Sequence, residues 1–126
     1  MKNNLESHIK KNENILIYVD GKLTPRIDAK ISVYDSGFMM GDGVWEGIRL
    51  VNNNWLFIDD HIDRLYEGAK AIDLDIGLSK DKLKEELFKT QEANKMTDNA
   101  HARLMVTRGV KSKPFQKPSY SLNGPT

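Results

Sequence analysis

The stretch from Tyr34 to Leu50, YDSGFMMGDGVWEGIRL, constrains this chain more than any other. Glycines at 37, 41, 43 and 47 punctuate it, and from Val44 onward its residues are mostly β-branched, aromatic or apolar. That composition suits a pleated, half-buried strand. Side chains alternate along a strand, so Val44, Glu46, Ile48 and Leu50 share one face and Trp45, Gly47, Arg49 and Val51 the other. Asn52, Asn53 and Asn54 follow as a turn, because asparagine tolerates left-handed φ. Trp55 to Phe57 then returns as a second strand.

The flanking segments complete an α+β pattern. Ile15 to Val19 is a short β-prone run, Asp20-Gly21 is a strong hairpin signal, and Lys22 to Pro25 is the returning strand. Ile27 to Ser32 reads as a loop with a short extended piece. After the second hairpin, Ile58, Ile62, Leu65, Ala69 and Ile72 recur at helical spacing, with Asp59 or Asp60 as the cap. Ser79 caps a second helix running to about Lys95, whose thinner stripe of Leu83, Leu87 and Phe88 predicts partial burial. Ala100 to Thr107 reads as a strand with His101, Arg103, Met105 and Thr107 on one face.

The 126 residues therefore divide into a polar tail or frayed helix (1–14), a small α+β domain (15–108) and a closing loop rich in Pro, Ser and Lys (109–126). The expected fold is a small antiparallel sheet with two packed helices. A strand followed by so long a loop is a poor way to end a domain, so the expectation is that the chain stops before its fold does.

Charge narrows the function classes only slightly. Lysine and arginine number 19 against 18 acidic residues, yet residues 103–126 hold five bases and no acid. A basic end on an acidic body suits an anionic small molecule, a nucleic acid or an acidic partner. Phe115 and Tyr120 make a thin stacking platform there, so nucleic acid is not expected as a partner. Cysteine is absent, which removes disulfides, thiolate nucleophiles and Cys-based zinc sites. No apolar run approaches membrane-spanning length and no signal-peptide pattern opens the chain, so the expected compartment is the cytoplasm.

Several motifs fall away. Gly41-Asp42-Gly43 begins like a dinucleotide fingerprint, but Glu46 stands where the third glycine belongs and a strand follows, not a helix. Neither a phosphate-binding P-loop nor a GxSxG elbow is present. His8, His61 and His101 are not at metal-ligand spacing, so no metal is expected.

Arg64 is more informative. It lies early in the first long helix among Asp59, Asp60, Asp63 and Glu67, beside the apolar stripe. One reading is a surface ion pair with Asp60 or Glu67. The other is an anion site, since a planar guanidinium forks onto phosphate oxygens. Arg49, projecting beside Trp45 and Gly47, reads either as a strand-edge charge or as part of a pocket wall: an aromatic, a gap and a cation. His101 and Arg103 form a second polar patch or a solvated face.

Three segments carry a resemblance. GFMMGDGVWEGIRL, DDHIDRLYEGAKAI and ARLMVTRG, in that order and spacing, resemble the small N-terminal domain of the class IV aminotransferases. These are pyridoxal-phosphate (PLP) enzymes of fold type IV, among them branched-chain aminotransferases, D-amino-acid aminotransferases and aminodeoxychorismate lyase. The resemblance covers about residues 15–125. It implies the N-terminal lobe of a two-domain enzyme that moves an amino group between an amino acid, branched-chain or D, and a 2-oxo acid. An aminodeoxychorismate lyase-like enzyme, or a catalytically empty small domain serving as an interaction or dimerisation module, are the alternatives.

By that resemblance Arg64, in the His61–Leu65 motif, matches the arginine that binds the PLP phosphate. Trp45, Gly47 and Arg49 match the pocket-lining strand, and Arg103 matches a pocket arginine of branched-chain members. Met40 and His101 stand where a tyrosine is usual, and Lys113 occupies about the place of a carboxylate-binding arginine of D-amino-acid enzymes. The lysine that links covalently to PLP is expected beyond Thr126, in a larger domain, so this chain alone is expected to be inactive. The resemblance also implies a homodimer in which each small domain helps to close its partner's site.

Overall fold

The computed structural model describes residues 2–113, 119, 121, 122 and 124–126, with backbone alone for residues 2–5 and 8. Phe115, Lys117 and Tyr120 of the basic end lie outside the described residues, as does the side chain of His8.

A helix, α1 (Lys2–Lys11), opens the chain, and its described side chains are exposed. The next two strands, β1 (Leu16–Val19) and β2 (Lys22–Pro25), pair antiparallel from Leu16↔Pro25 to Val19↔Lys22. Asp20 at φ 47° and Gly21 at φ 82° make the tight turn between them, the conformation that the Asp-Gly pair favours.

A short helix, α2 (Ser36–Met40), forms where the glycine-rich stretch carried no sequence-based expectation of one. Asp35 caps it by accepting a hydrogen bond from the Gly37 N–H, and Gly41 ends it at φ 65°. The central strand β3 (Gly43–Val51) follows, then a turn with Asn52 and Asn53 at positive φ, and β4 (Asn54–Trp55).

The second strand of this hairpin is shorter than Trp55–Phe57. Phe57 turns left-handed at φ 54° and serves as the N-cap of α3 (Ile58–Ala71) without a side-chain hydrogen bond. Asp59 and Asp60 therefore sit inside the first turn instead of capping it, where their charge favours the positive helix end. Ser79 caps α4 (Lys80–Ala93) as expected, accepting from the Lys82 N–H. The last strand is β5 (Ala100–Thr107).

The main sheet has the order β4-β3-β5, all antiparallel. The register runs from Gly43↔Thr107 to Leu50↔Ala100. Its even-numbered β3 face packs on α3, with Ile48, Leu50, Ile62 and Leu65 essentially sealed from solvent. Ala69, Leu74, Ile76, Leu83 and Val106 complete the core. Two stripe residues fall outside it: Ile72, at the α3 C-cap, and Phe88 of α4 are both exposed. The Asn94 side chain ties the β1–β2 hairpin to α4 by bonding both the N–H and the C=O of Leu16.

This is the α+β arrangement expected: a small antiparallel sheet covered by two main helices. Several of the described residues after β5 bond back to the domain. Gly109 accepts from the Ser36 N–H, Val110 bridges Asp35, and Thr126 exchanges two backbone hydrogen bonds with Thr107. Among the described residues no helix is long and apolar enough to cross a membrane.

Candidate functional site

Glu46 stands on the core-facing side of β3 between Val44 and Ile48, with only 5% of its side chain exposed. A carboxylate so placed needs partners, because an unpaired buried charge is strongly penalised. Two residues of α3 supply them. The Arg64 Nε and Nη2 each donate to one carboxylate oxygen at 2.6 Å, and His61 Nδ1 lies 2.7 Å from Oε2. The Arg64 contact, helped by His61 and opposed by burial, holds the Glu46 carboxyl at about 2, below its ordinary 4.5. The same contact raises the Arg64 guanidinium above its ordinary value.

Arg64 thus takes neither partner that its helix neighbours offered. Its ion pair is with Glu46, not with Asp60 or Glu67, and its side chain is still 71% exposed. β4 pairs only with Leu50 and Val51, so beside Glu46 that edge of β3 carries no strand among the described residues. A guanidinium has five N–H donors. Two are spent on Glu46, one from Nε and one from Nη2, and the Nη1 hydrogens and the second Nη2 hydrogen have no protein partner among the described residues. That free Nη1–Nη2 fork is a planar bidentate donor of the kind that suits phosphate or carboxylate oxygens. The residues present therefore fit an anionic phosphate group at Arg64.

On the opposite face of the sheet the register gathers most of the other candidates. Trp45 pairs with Met105, Gly47 with Arg103 and Arg49 with His101. Their side chains stand together on the exposed face, so the two patches seen separately in sequence are one surface. The Arg103 guanidinium lies 4.3 Å from the centre of the Trp45 ring, and its Nε contacts the Met105 sulfur at 3.4 Å. A cation over an indole face is an attractive pairing. His101 leans diagonally over Gly47, where the missing side chain leaves it room. The surface carries two guanidiniums, an imidazole and an exposed indole, a set that offers donors to carboxylates and an apolar wall.

Arg64 and this surface lie on opposite sides of the sheet, joined through adjacent residues of β3: Trp45 and Gly47 point one way, Glu46 the other. Met40 and Lys113 are not on the β3–β5 ladder. Met40 ends α2, half-buried, and Lys113 is exposed beyond the bridge between Lys111 and Ser121. No group of three His, Asp or Glu side chains among the described residues is arranged to hold a metal.

Sequence reasoning overlooked Glu46, although a signal was present: one acidic residue on a strand face otherwise made of Val44, Ile48 and Leu50. It also read Arg108 only as part of a basic end and Lys111 as part of a solvated loop. Arg108 is instead an internal tie. It donates two hydrogen bonds to Asp42 and one each to the carbonyls of Ile72 and Asp73 at the end of α3. Lys111 is 2% exposed.

Comparison with known proteins bears on the family and the fold. The family model for amino-transferase class IV matches residues 43–122, from the start of β3 into the C-terminal segment. The chain is 38% identical over 118 residues to branched-chain-amino-acid aminotransferase-like protein 1 of Arabidopsis thaliana, covering 94% of this chain and 21% of that protein. It is 43% identical over 97 residues to a D-alanine aminotransferase of Listeria monocytogenes, covering 76% of this chain and 33% of that one. The crystal structure of a branched-chain aminotransferase from Thermoproteus uzoniensis with norvaline superposes at a TM-score of 0.70 and 29% identity, over 82% of this chain and 35% of that chain. The chain therefore spans between about a fifth and about a third of the length of these relatives. With the fold and a match across most of the sheet in agreement, the chain belongs to the class IV aminotransferases.

Proposed function

We propose that the chain forms the small lobe of a PLP-dependent aminotransferase acting between an amino acid, branched-chain or D, and a 2-oxo acid. The observation that carries this reading is Arg64, held along one edge by Glu46 and open along the other. In this role the open fork holds the PLP phosphate through charge-assisted hydrogen bonds. Bound PLP supplies the electron sink that lets the amino group pass between the two substrates. Trp45 and Gly47 shape the wall against which a substrate side chain rests. Arg49, His101 and Arg103 offer donors for substrate carboxylates, and Met40 and Lys113, off the ladder, are further pocket candidates by the family resemblance alone. The chain contributes binding and orientation, and none of its lysines is assigned the covalent link to the cofactor.

The test is a binding comparison between PLP and pyridoxal, which lacks the phosphate. Arg64→Ala is expected to weaken PLP and leave pyridoxal unchanged. Equal PLP affinity in the variant and the unaltered chain would remove Arg64 from the phosphate site.

The reading includes a homodimer. Ile27, Ile31, Val33, Tyr34 and Phe38 expose large apolar side chains within one short stretch preceding and including α2. Exposed large apolar side chains concentrated in one stretch suit a protein–protein surface. Light scattering of the full two-domain protein over a range of concentrations is expected to show a dimer, and Val33→Lys to shift it toward monomer. A monomer at every concentration would refute the self-association.

A further inference from the structure

We infer that Glu46 is a positioning residue, which anchors Arg64 from beneath the strand so that the Nη1–Nη2 edge stays presented to the phosphate of a phosphorylated ligand. This rests on the reading of Arg64 as the phosphate-binding arginine.

The argument begins with the unequal exposure of the pair. Arg64 is 71% exposed and Glu46 only 5%. An exposed arginine ordinarily samples many rotamers, and each ligand it binds must bear the loss of that freedom. Here the anchor is rigid. Glu46 sits mid-strand on β3, its backbone paired with Leu104 of β5. Its carboxylate is held at both oxygens, by Arg64 at 2.6 Å twice and by His61 at 2.7 Å. His61 and Arg64 lie three residues apart on one face of α3, so the carboxylate is clamped between two side chains of the same helix.

Stability alone is a weak account of this cluster. Val44, Ile48 and Leu50 show what the same face accepts elsewhere, and burying the Glu46 carboxylate carries a desolvation cost that an apolar side chain there would not. What an apolar residue could not do is select one edge of a guanidinium. Bonding through Nε and Nη2 consumes the side-on fork and leaves the end-on fork free. The negative charge of Glu46 by itself opposes an anion, so the positioning role makes a prediction of definite sign. Removing that charge while loosening Arg64 weakens phosphate binding instead of strengthening it.

The test uses the 126-residue chain and the near-isosteric Glu46→Gln variant. Three quantities are measured: the melting curve, the NMR order of the Arg64 Nε–H, and affinities for PLP and for pyridoxal. The expected result is a folded variant with a more mobile Arg64 Nε–H. Its PLP affinity falls about threefold to tenfold while pyridoxal affinity is unchanged. A purely structural role for Glu46 does not alter the ratio of the two affinities. PLP affinity that stays level or rises in Glu46→Gln, while Arg64→Ala still weakens it, overturns the positioning role. PLP affinity that Arg64→Ala leaves untouched overturns the phosphate reading instead, and the positioning role with it. Should Glu46→Gln fail to fold, the unaltered chain decides. An Arg64 Nε–H as ordered as the β3 amides supports anchoring, and one as mobile as that of Arg49 refutes it.

Discussion

His101 lies across Gly47: a β-carbon built on Gly47 would stand 3.0 Å from the imidazole Nε2 and 3.1 Å from Cε1. The Cα partner of His101 is Arg49, so the ring reaches diagonally along the ladder to the place where no side chain stands. Gly47→Ala meets the tip of an exposed side chain and no backbone atom of another strand. The ring can move aside, and alanine also removes the strand-weakening flexibility of glycine. The expected outcome is a melting temperature unchanged or slightly raised, together with a clear change in the His101 ring resonances. A large fall in melting temperature would mean that the ring is locked in place.

Gly37 presents the opposite case. A β-carbon there would lie 2.3 Å from Thr107 Cγ2 and 3.0 Å from Asp35 Oδ1. Both are fixed: Asp35 is fully buried and accepts from the Gly37 N–H and the Thr107 hydroxyl. Gly37→Ala is therefore expected to lower stability by about 1 to 3 kcal/mol, the usual range for overpacking. Thr107→Ser in the same chain deletes the methyl and keeps the hydroxyl, so it should restore part of the loss. Chemical denaturation of the single and double variants measures both.

The contrast between these glycines shows what was legible in the sequence. Alternation along Val44–Leu50 and helical spacing along Ile58–Ala69 reported burial correctly, because both depend on local periodicity. The pairing of Trp45 with Met105 was not legible, since register is set by which residues meet across the sheet. Nor was α2, five residues long, whose cap depends on Asp35 being buried against Thr107. Phe57 is the clearest local failure. Its left-handed φ is rare for a large residue, so propensity favoured a strand there. Arg64 was legible as an unusual arginine, while its partner Glu46 required the fold that brings α3 onto β3.

Arg108 supplies a third prediction. Its side chain is 13% exposed and that of Asp42 is 18% exposed. Four hydrogen bonds leave one guanidinium for Asp42 and for the carbonyl ends of α3. Removing one partner of a largely buried pair strands the other, so Arg108→Ala is expected to cost about 3 kcal/mol. A lysine ammonium cannot span the same acceptors, and Arg108→Lys should recover less than half of that loss. Urea unfolding of both variants checks the order. Equal stability of Arg108→Lys and the unaltered chain would show that charge alone matters there.

The Glu46 cluster sets the behaviour of the chain in acid. Its carboxyl titrates near 2 in the folded chain against an ordinary 4.5, chiefly because Arg64 bonds the ionised form. A depressed carboxyl stabilises the fold at pH values above its unfolded pKa, and that contribution disappears as pH falls through the folded one. The loss should therefore begin near pH 4.5 and be complete just below pH 2. Its full extent is at most about 3 kcal/mol from the size of the shift, and smaller because water screens the exposed guanidinium. In Glu46→Gln the position no longer titrates, so this part of the acid slope should vanish. Stability profiles of the two chains between pH 5 and pH 2, taken as a difference, isolate the contribution from that of the other carboxylates. Parallel profiles would show that Glu46 is not strongly paired in solution, and with that result the anchoring of Arg64 would fail as well.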